Sequence, residues 1–356
     1  VKRSIIAALT VFAVLATAYA GTDITLMQSY EWTDNLYTDY TEMKSGMTRS
    51  RVELDVWSGD LTLNAGFSYA NVIEFPDDSH FNMELHPELI IGGGPKFLFK
   101  VSGNMDSVAY KGSEDDNFTD YGIYAGFTAD NLEDKILEFS AGFGSYNHRT
   151  DDYDRTYFDS ALTGTIYTGA ASNISVAASY THVQWGTSSV ESEGMPGMGS
   201  RSKDVSSDII RIDLSGEIYA WGFMVVSPHA GMGFTSGNED YIIPVISPDY
   251  TQTDGDTSSV WEAGADIYLL KGPWSLLLTA AYASREYDER LAYADETLLS
   301  DEAAYSRNAY FGGELRYYFT DSAALMGGWS RQINESNDFF ADGDSQLLSA
   351  TLMVSF

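Results

Sequence analysis

The chain has 356 residues, a formal net charge of −32 and no cysteine. That composition excludes disulfide frameworks, thiolate metal sites and thioether-held haem, and it makes nucleic acid a poor partner, because phosphate binding needs clustered Lys and Arg. With 32 glycines and 24 tyrosines the chain suits pleated sheet and turns better than helix.

At the N-terminus, Lys2 and Arg3 form a basic stretch, Ile5 to Ala16 an apolar one, and Ala18-Tyr19-Ala20 a small-x-small site before Gly21. Residues 1–20 read as a cleaved signal peptide, too short in their apolar part to cross a bilayer, which takes about 20 residues. Residues 21–356 read as one domain. Apolar stretches there, such as Trp274 to Leu278, are strand-sized, so a membrane protein of this composition has to be a barrel.

Along the rest of the chain, segments of alternating polarity are separated by turns that are short and long in succession. The predicted strands are 22–32, 48–58, 61–73, 81–91, 96–108, 119–129, 136–146, 156–168, 173–185, 208–219, 223–236, 257–270, 274–287, 307–319, 322–334 and 344–356. Tight connections include Gly59-Asp60, Ala220-Trp221-Gly222, Lys271-Gly272-Pro273 and Thr320-Asp321. Sixteen strands put both chain ends on the periplasmic side. The segment 22–32 alternates poorly, which keeps fourteen and eighteen open as counts.

Alternation separates two faces. Phe81, Met83, Leu85, Pro87, Leu89 and Ile91 oppose Asn82, Glu84, His86 and Glu88; Ile210, Ile212, Leu214 and Ile218 oppose Arg211, Asp213, Glu217 and Tyr219. The aromatics Trp32, Trp57, Trp185, Trp221, Trp274, Tyr69, Tyr146, Tyr219 and Phe319 fall near strand ends, where interfacial girdles would place them. Trp329, in mid-strand, departs from that pattern.

The last strand ends on Phe356, with Val354, Leu352, Ala350 and Leu348 sharing its face. A greasy face closing on a terminal aromatic resembles the C-terminal strand of bacterial outer-membrane β-barrels, which the barrel assembly machinery reads. The resemblance is to that porin-like class. It implies an all-β, transmembrane, antiparallel up-and-down barrel in a Gram-negative outer membrane, with short periplasmic turns, long outer loops and lipid as neighbour. Porin-like barrels of this size are commonly trimers, so a homotrimer is one of the oligomeric states left open.

The long connections (34–47, 74–80, 111–118, 148–155, 186–207, 237–256, 288–306 and 335–343) carry far more Asp and Glu than Lys and Arg. A solvated rim accounts for such acidity; it would also concentrate cations or hold a divalent cation bridging to anionic lipid. No resident cofactor is expected.

Arg49, Arg51, Glu53 and Asp55 share one face of one strand. Together with Lys100, Arg211, Arg316 and Arg331, and with Glu84, Glu88, Asp106, Asp213, Glu217, Glu262, Asp266 and Glu314, they are the candidate pore lining, a wall of both signs. General porins fold a long loop inward between their fifth and sixth strands, whereas here that connection, 111–118, is short. The candidates for inward folding are 186–207, with its Gly194 to Gly199 run, and 237–256, with apolar Ile242 to Ile246.

Enzyme motifs are weak. Asp77-Asp78-Ser79-His80 and Asp151-Asp152 resemble the rim dyads of omptin-type proteases without matching partners at credible spacing. His182 and His229 lack a serine motif, and no zinc spacing such as H-E-x-x-H occurs. Asp254-Gly255-Asp256 and Asp342-Gly343-Asp344 do not fill a calcium loop. Two readings therefore stand ahead of a rim hydrolase. One is a passive channel for ions or small hydrophilic solutes that prefers cations. The other is a non-conducting barrel that docks a periplasmic or surface partner.

Overall fold

A computed structural model describes residues 21–35, 44–91, 97–112, 117–132, 135–148, 154–168, 172–185, 206–237, 257–294, 299–339 and 342–356. The strands are β1 Gly21–Thr33, β2 Ser45–Ser58, β3 Leu61–Val72, β4 His80–Ile90, β5 Phe97–Tyr110, β6 Phe118–Leu132, β7 Lys135–His148 and β8 Arg155–Tyr167. They continue with β9 Asn173–Trp185, β10 Ser206–Ala220, β11 Met224–Gly237, β12 Ser258–Lys271, β13 Trp274–Tyr293, β14 Leu299–Thr320, β15 Ala323–Ser336 and β16 Gly343–Ser355. Each pairs antiparallel with its sequence neighbours, and β16 pairs with β1 to close the ring. Sixteen is the strand count, which disposes of fourteen and eighteen. The expected signal segment 1–20 lies outside the described residues.

Turn chemistry explains the tight end. Gly59 and Gly272 each take a left-handed φ, +60° and +58°, as the first residue of a two-residue hairpin, the conformation whose twist matches the flanking strands. Trp221 adopts φ +54° without being glycine, and its ring stacks on Phe223 with centroids 6.4 Å apart.

β1 is a full strand despite its weak pattern. It is in register with β2 along its whole length and with β16 from Thr25 to Thr33. The polar residue that spoils its apolar face is Gln28. Its side chain accepts from Ser50 Oγ at 2.7 Å and donates to the Arg49 carbonyl at 3.1 Å, so the amide is satisfied where lipid cannot serve it. At the closure, Ile24 and Phe356 exchange backbone hydrogen bonds of 2.8 and 3.1 Å.

Pairing register sorts the side chains. Leu26, Ile212, Leu214, Phe311, Leu325, Leu348 and Leu352 share the outward face and are exposed. An uncovered apolar belt of this size is untenable in water and natural in a bilayer. Extracellularly the belt gives way to polar residues, Asp208 after Ile210 on β10 and Gln346 after Leu348 on β16.

Five expectations need correction. Trp57, Tyr146 and Tyr219 are not on the outer face: Trp57 is in register with Thr62, Tyr146 with Asp120 and Tyr219 with Val225, all facing inward. Position near a strand end does not fix the face, because one residue of register reverses it. Nor is Arg331 in the lining. It shares parity with Leu325 and Trp329, is in register with outward Phe311, and pairs with Asp344 at 3.0 Å on the lipid-facing side. The side chain of Trp185 lies outside the described residues. Segment 288–306, read as loop, is largely strand: β13 and β14 run past the others, with the ladder irregular beyond Glu286.

At the rim, Glu74 clips β2 to the β3–β4 connection. Its carboxylate accepts from the Gly46 N–H at 2.7 Å and from Ser45 Oγ at 2.8 Å. Those donors, the Gly46 N–H first, hold it below the usual carboxylate range.

Candidate functional site

The inward face is largely polar, with its charges gathered on some of the strands, and glycines decide how its long side chains lie. On β2, Arg51 Nε donates to Glu53 at 2.7 Å, two residues along the strand. Its Nη1 and Nη2 reach over β3 to grip both oxygens of Glu84 on β4, at 3.1 and 2.8 Å. The strand crossed presents Gly66, in register with both Glu53 and Glu84. A Cβ there would stand 3.1 Å from Glu84 Oε2 and 3.2 Å from Arg51 Nη2, so glycine leaves the fork flat against the wall.

A second such arrangement sits on β10 to β12. Arg211 Nε donates to Asp213 at 2.7 Å, and its Nη2 bonds Glu262 across β11. The crossed residue is Gly231, in register with Asp213 and Glu262, where a Cβ would overlap the Asp213 carboxylate. With side chains roughly one-third exposed in both clusters, each pair contributes on the order of 0.5–1 kcal/mol.

Apart from Arg331, the remaining sequence candidates also point inward. Arg316 donates to Glu314 at 2.9 Å and to the Tyr318 hydroxyl at 3.2 Å. Lys100 meets Glu88 at 3.4 Å, Asn173 donates to Glu217 at 3.0 Å and Thr279 to Asp266 at 2.7 Å. Asp55 accepts from Asn64. Arg49 Nη2 approaches Met47 Sδ at 4.0 Å, and its Nε is buried without a hydrogen-bond acceptor.

Sequence reading passed over a wall of tyrosines on β6 to β8. Tyr157 donates to Asp120 at 2.8 Å and Tyr124 to Asp159 at 3.4 Å. Tyr146 stacks on Phe118 with centroids 5.0 Å apart and lies under the Arg155 guanidinium at 4.8 Å. These rings too lie over glycine: a Cβ at Gly144 would overlap the Tyr157 ring, and one at Gly142 the Tyr124 ring. The available signal was the small-residue spacing Gly142-x-Gly144 on a polar face, legible only once register shows what crosses it.

The histidines scatter. His80 Nδ1 lies 3.0 Å from the Asp78 carbonyl oxygen at the rim, and His229 faces inward beside Gly264. His182 and Tyr180 share Asp208, at 2.9 and 2.6 Å, on the outward face. Among the described residues no three His, Asp or Glu side chains converge for a metal ion. Asp151, Asp152, Asp254, Asp256 and most of both inward-loop candidates (186–205 and 238–256) lie outside the described residues.

No protein-family profile matches the chain, and no curated protein matches it in sequence. Solved structures do match its fold. One described as a bacterial polysaccharide outer membrane secretin aligns over 94% of this chain and 98% of its own, with TM-score 0.53 and 9% identity. OccAB1 of Acinetobacter baumannii aligns over 95% and 96%, with TM-score 0.53 and 11% identity. OccD3 (OpdP) of Pseudomonas aeruginosa aligns over 96% and 94%, with TM-score 0.52 and 10% identity. In fold, the chain is a porin-like barrel of the Gram-negative outer membrane.

Proposed function

We propose that the chain is a passive channel through which ions and small hydrophilic solutes cross the outer membrane, with cations favoured. What carries this reading is the inner wall. Sixteen strands enclose an interior wider than side chains fill, and here two of the longest inward side chains, Arg51 on β2 and Arg211 on β10, lie across glycines instead of spanning the interior. A wall of hydroxyls, amides and charges wets readily, and diffusion needs no more than that.

Cation preference follows from the excess of inward acids. Asp106, Asp120, Asp159 and Glu138 join the carboxylates of the two arginine clusters, and each cluster sets one guanidinium against two acids. A low-dielectric wall focuses such a field into the interior, raising local cation concentration. Purified protein in a planar bilayer is expected to give stepwise conductance, and a reversal potential of cation-selective sign in a salt gradient. A bilayer that stays silent over repeated preparations would remove the channel reading and favour a docking barrel; an anion-selective sign would remove the preference.

A further inference from the structure

The two arginine clusters are the same device built twice. On β2 and on β10, arginine is followed two residues later by an acid, Glu53 or Asp213. The next strand places glycine in register with that acid, Gly66 or Gly231, and the strand after it places glutamate in register with the glycine, Glu84 or Glu262. Four residues further towards the periplasm, the third strand carries another acid in both, Glu88 or Asp266.

Topology places the copies opposite one another. β3 and β11, the strands the guanidiniums cross, are half of the sixteen-strand ring apart. The corresponding strands run in the same direction and hold the clusters near mid-strand. A half-turn about the barrel axis therefore carries one cluster towards the other. Each has one positive and two negative groups at wall distance, fixed by hydrogen bonds of 2.7 to 3.1 Å in the first cluster and by 2.7 Å at Arg211 and Asp213 in the second.

We infer that Arg51 and Arg211 are equivalent, facing determinants of ion selectivity, each masking two carboxylates that would otherwise act on the permeating ion. This rests on the channel reading above. A fixed charge whose counter-charge is within hydrogen-bond reach presents little field at a distance, whereas one stripped of it acts in full on an ion crossing nearby. The wall thus carries more acid than the ion path senses, and the two arginines set how much is released.

The test is reversal potential in a salt gradient for the intact barrel bearing Arg51→Gln, Arg211→Gln or both. Each single change is expected to raise cation-over-anion permeability by about fourfold, since one unmasked unit charge about 10 Å from the ion in water favours a cation about twofold and disfavours an anion about twofold, and the double change by about the product. Glu53→Gln and Asp213→Asn, which keep the long-range arginine to glutamate pair, are expected to lower it by a similar factor. They carry the test if the arginine variants do not assemble. Arg331→Gln, on the lipid side, is expected to leave it unchanged. A response confined to one cluster, or of opposite sign in the two, overturns the equivalence; conducting variants with an unmoved potential overturn the role in selectivity. A silent wild-type bilayer is a different failure, since it removes the channel reading itself and takes this inference with it.

Discussion

The wall of β10 to β12 and the wall of β14 to β16 have the same alternation but hold their inward charges differently. On the first, Arg211 stretches over Gly231 and ties two strands that do not touch. On the second, Asn308 meets Asn334 at 2.6 Å, Gly328 stands in register with Ser349, and Arg316 meets Glu314 along a single strand at 2.9 Å. Both are polar enough to face water, yet the first fixes its charges across three strands and the second within one. Polarity of a lumen wall is thus a weak property shared by all its strands, while a charge field is a strong one confined to a few, and glycine placement separates them.

The severest way to break the contrast is at the edge of the plain wall, where β16 must find β1. Deleting Phe356 removes both backbone bonds to Ile24 and the outermost apolar contact of the closing strand. Loss of the heat-modifiable folded band on electrophoresis is expected, and a normal band would show that closure does not depend on this residue. Next comes the outer face of the charged wall. Ile212→Arg puts a charge in the lipid belt one residue from Arg211, at a cost of about 2–4 kcal/mol if it lies at the midplane, to be read as a lowered denaturant midpoint. Tolerance equal to that of a lumen-facing change would mean that the face assignment is wrong.

A finer cut compares glycines. Gly231→Ala should cost about 1–3 kcal/mol, because its methyl overlaps Asp213 and forces the cluster to move. Gly327→Ala on β15 meets nothing within 4 Å and should fall within about 0.5 kcal/mol of wild type. Equal effects would show that the wall at Gly231 yields freely. The smallest effect belongs to the rim clip at Glu74. Its carboxyl is held below the usual range when folded, so its contribution is present above the unfolded carboxylate pKa and is lost as pH falls through the folded one. Stability of Glu74→Gln should accordingly lose a slight acid dependence that wild type shows, and identical acid profiles would assign the clip no electrostatic role.

Much of the architecture was legible because a strand's side chains alternate with period two whatever it pairs with. Turn residues such as Gly59-Asp60 and Gly272-Pro273 mark where direction reverses. Sixteen segments could be counted, and Arg51, Glu84, Arg211 and Glu262 could be assigned one face each. Even Arg331 was within reach: its parity with Leu325 and Trp329 outweighs its charge, which is tolerated because the belt ends there and Asp344 answers it. Segment 288–306 was missed because the run Asp288-Glu289-Arg290 has the composition of a loop, and extension of the β13 and β14 hairpin overrode it.

What no single strand contains is its neighbour's register. That Gly66 lies between Glu53 and Glu84, or Gly144 beneath Tyr157, depends on how far each strand slides along the next, which tight turns and closure of the whole ring set together. Local alternation therefore sufficed for the barrel, its lipid belt and its polar interior, since each arises within about ten residues. The clusters of Arg51 and Arg211 each draw on three successive strands whose mutual register no one strand contains, and their facing arrangement exists only because the sixteenth strand returns to the first.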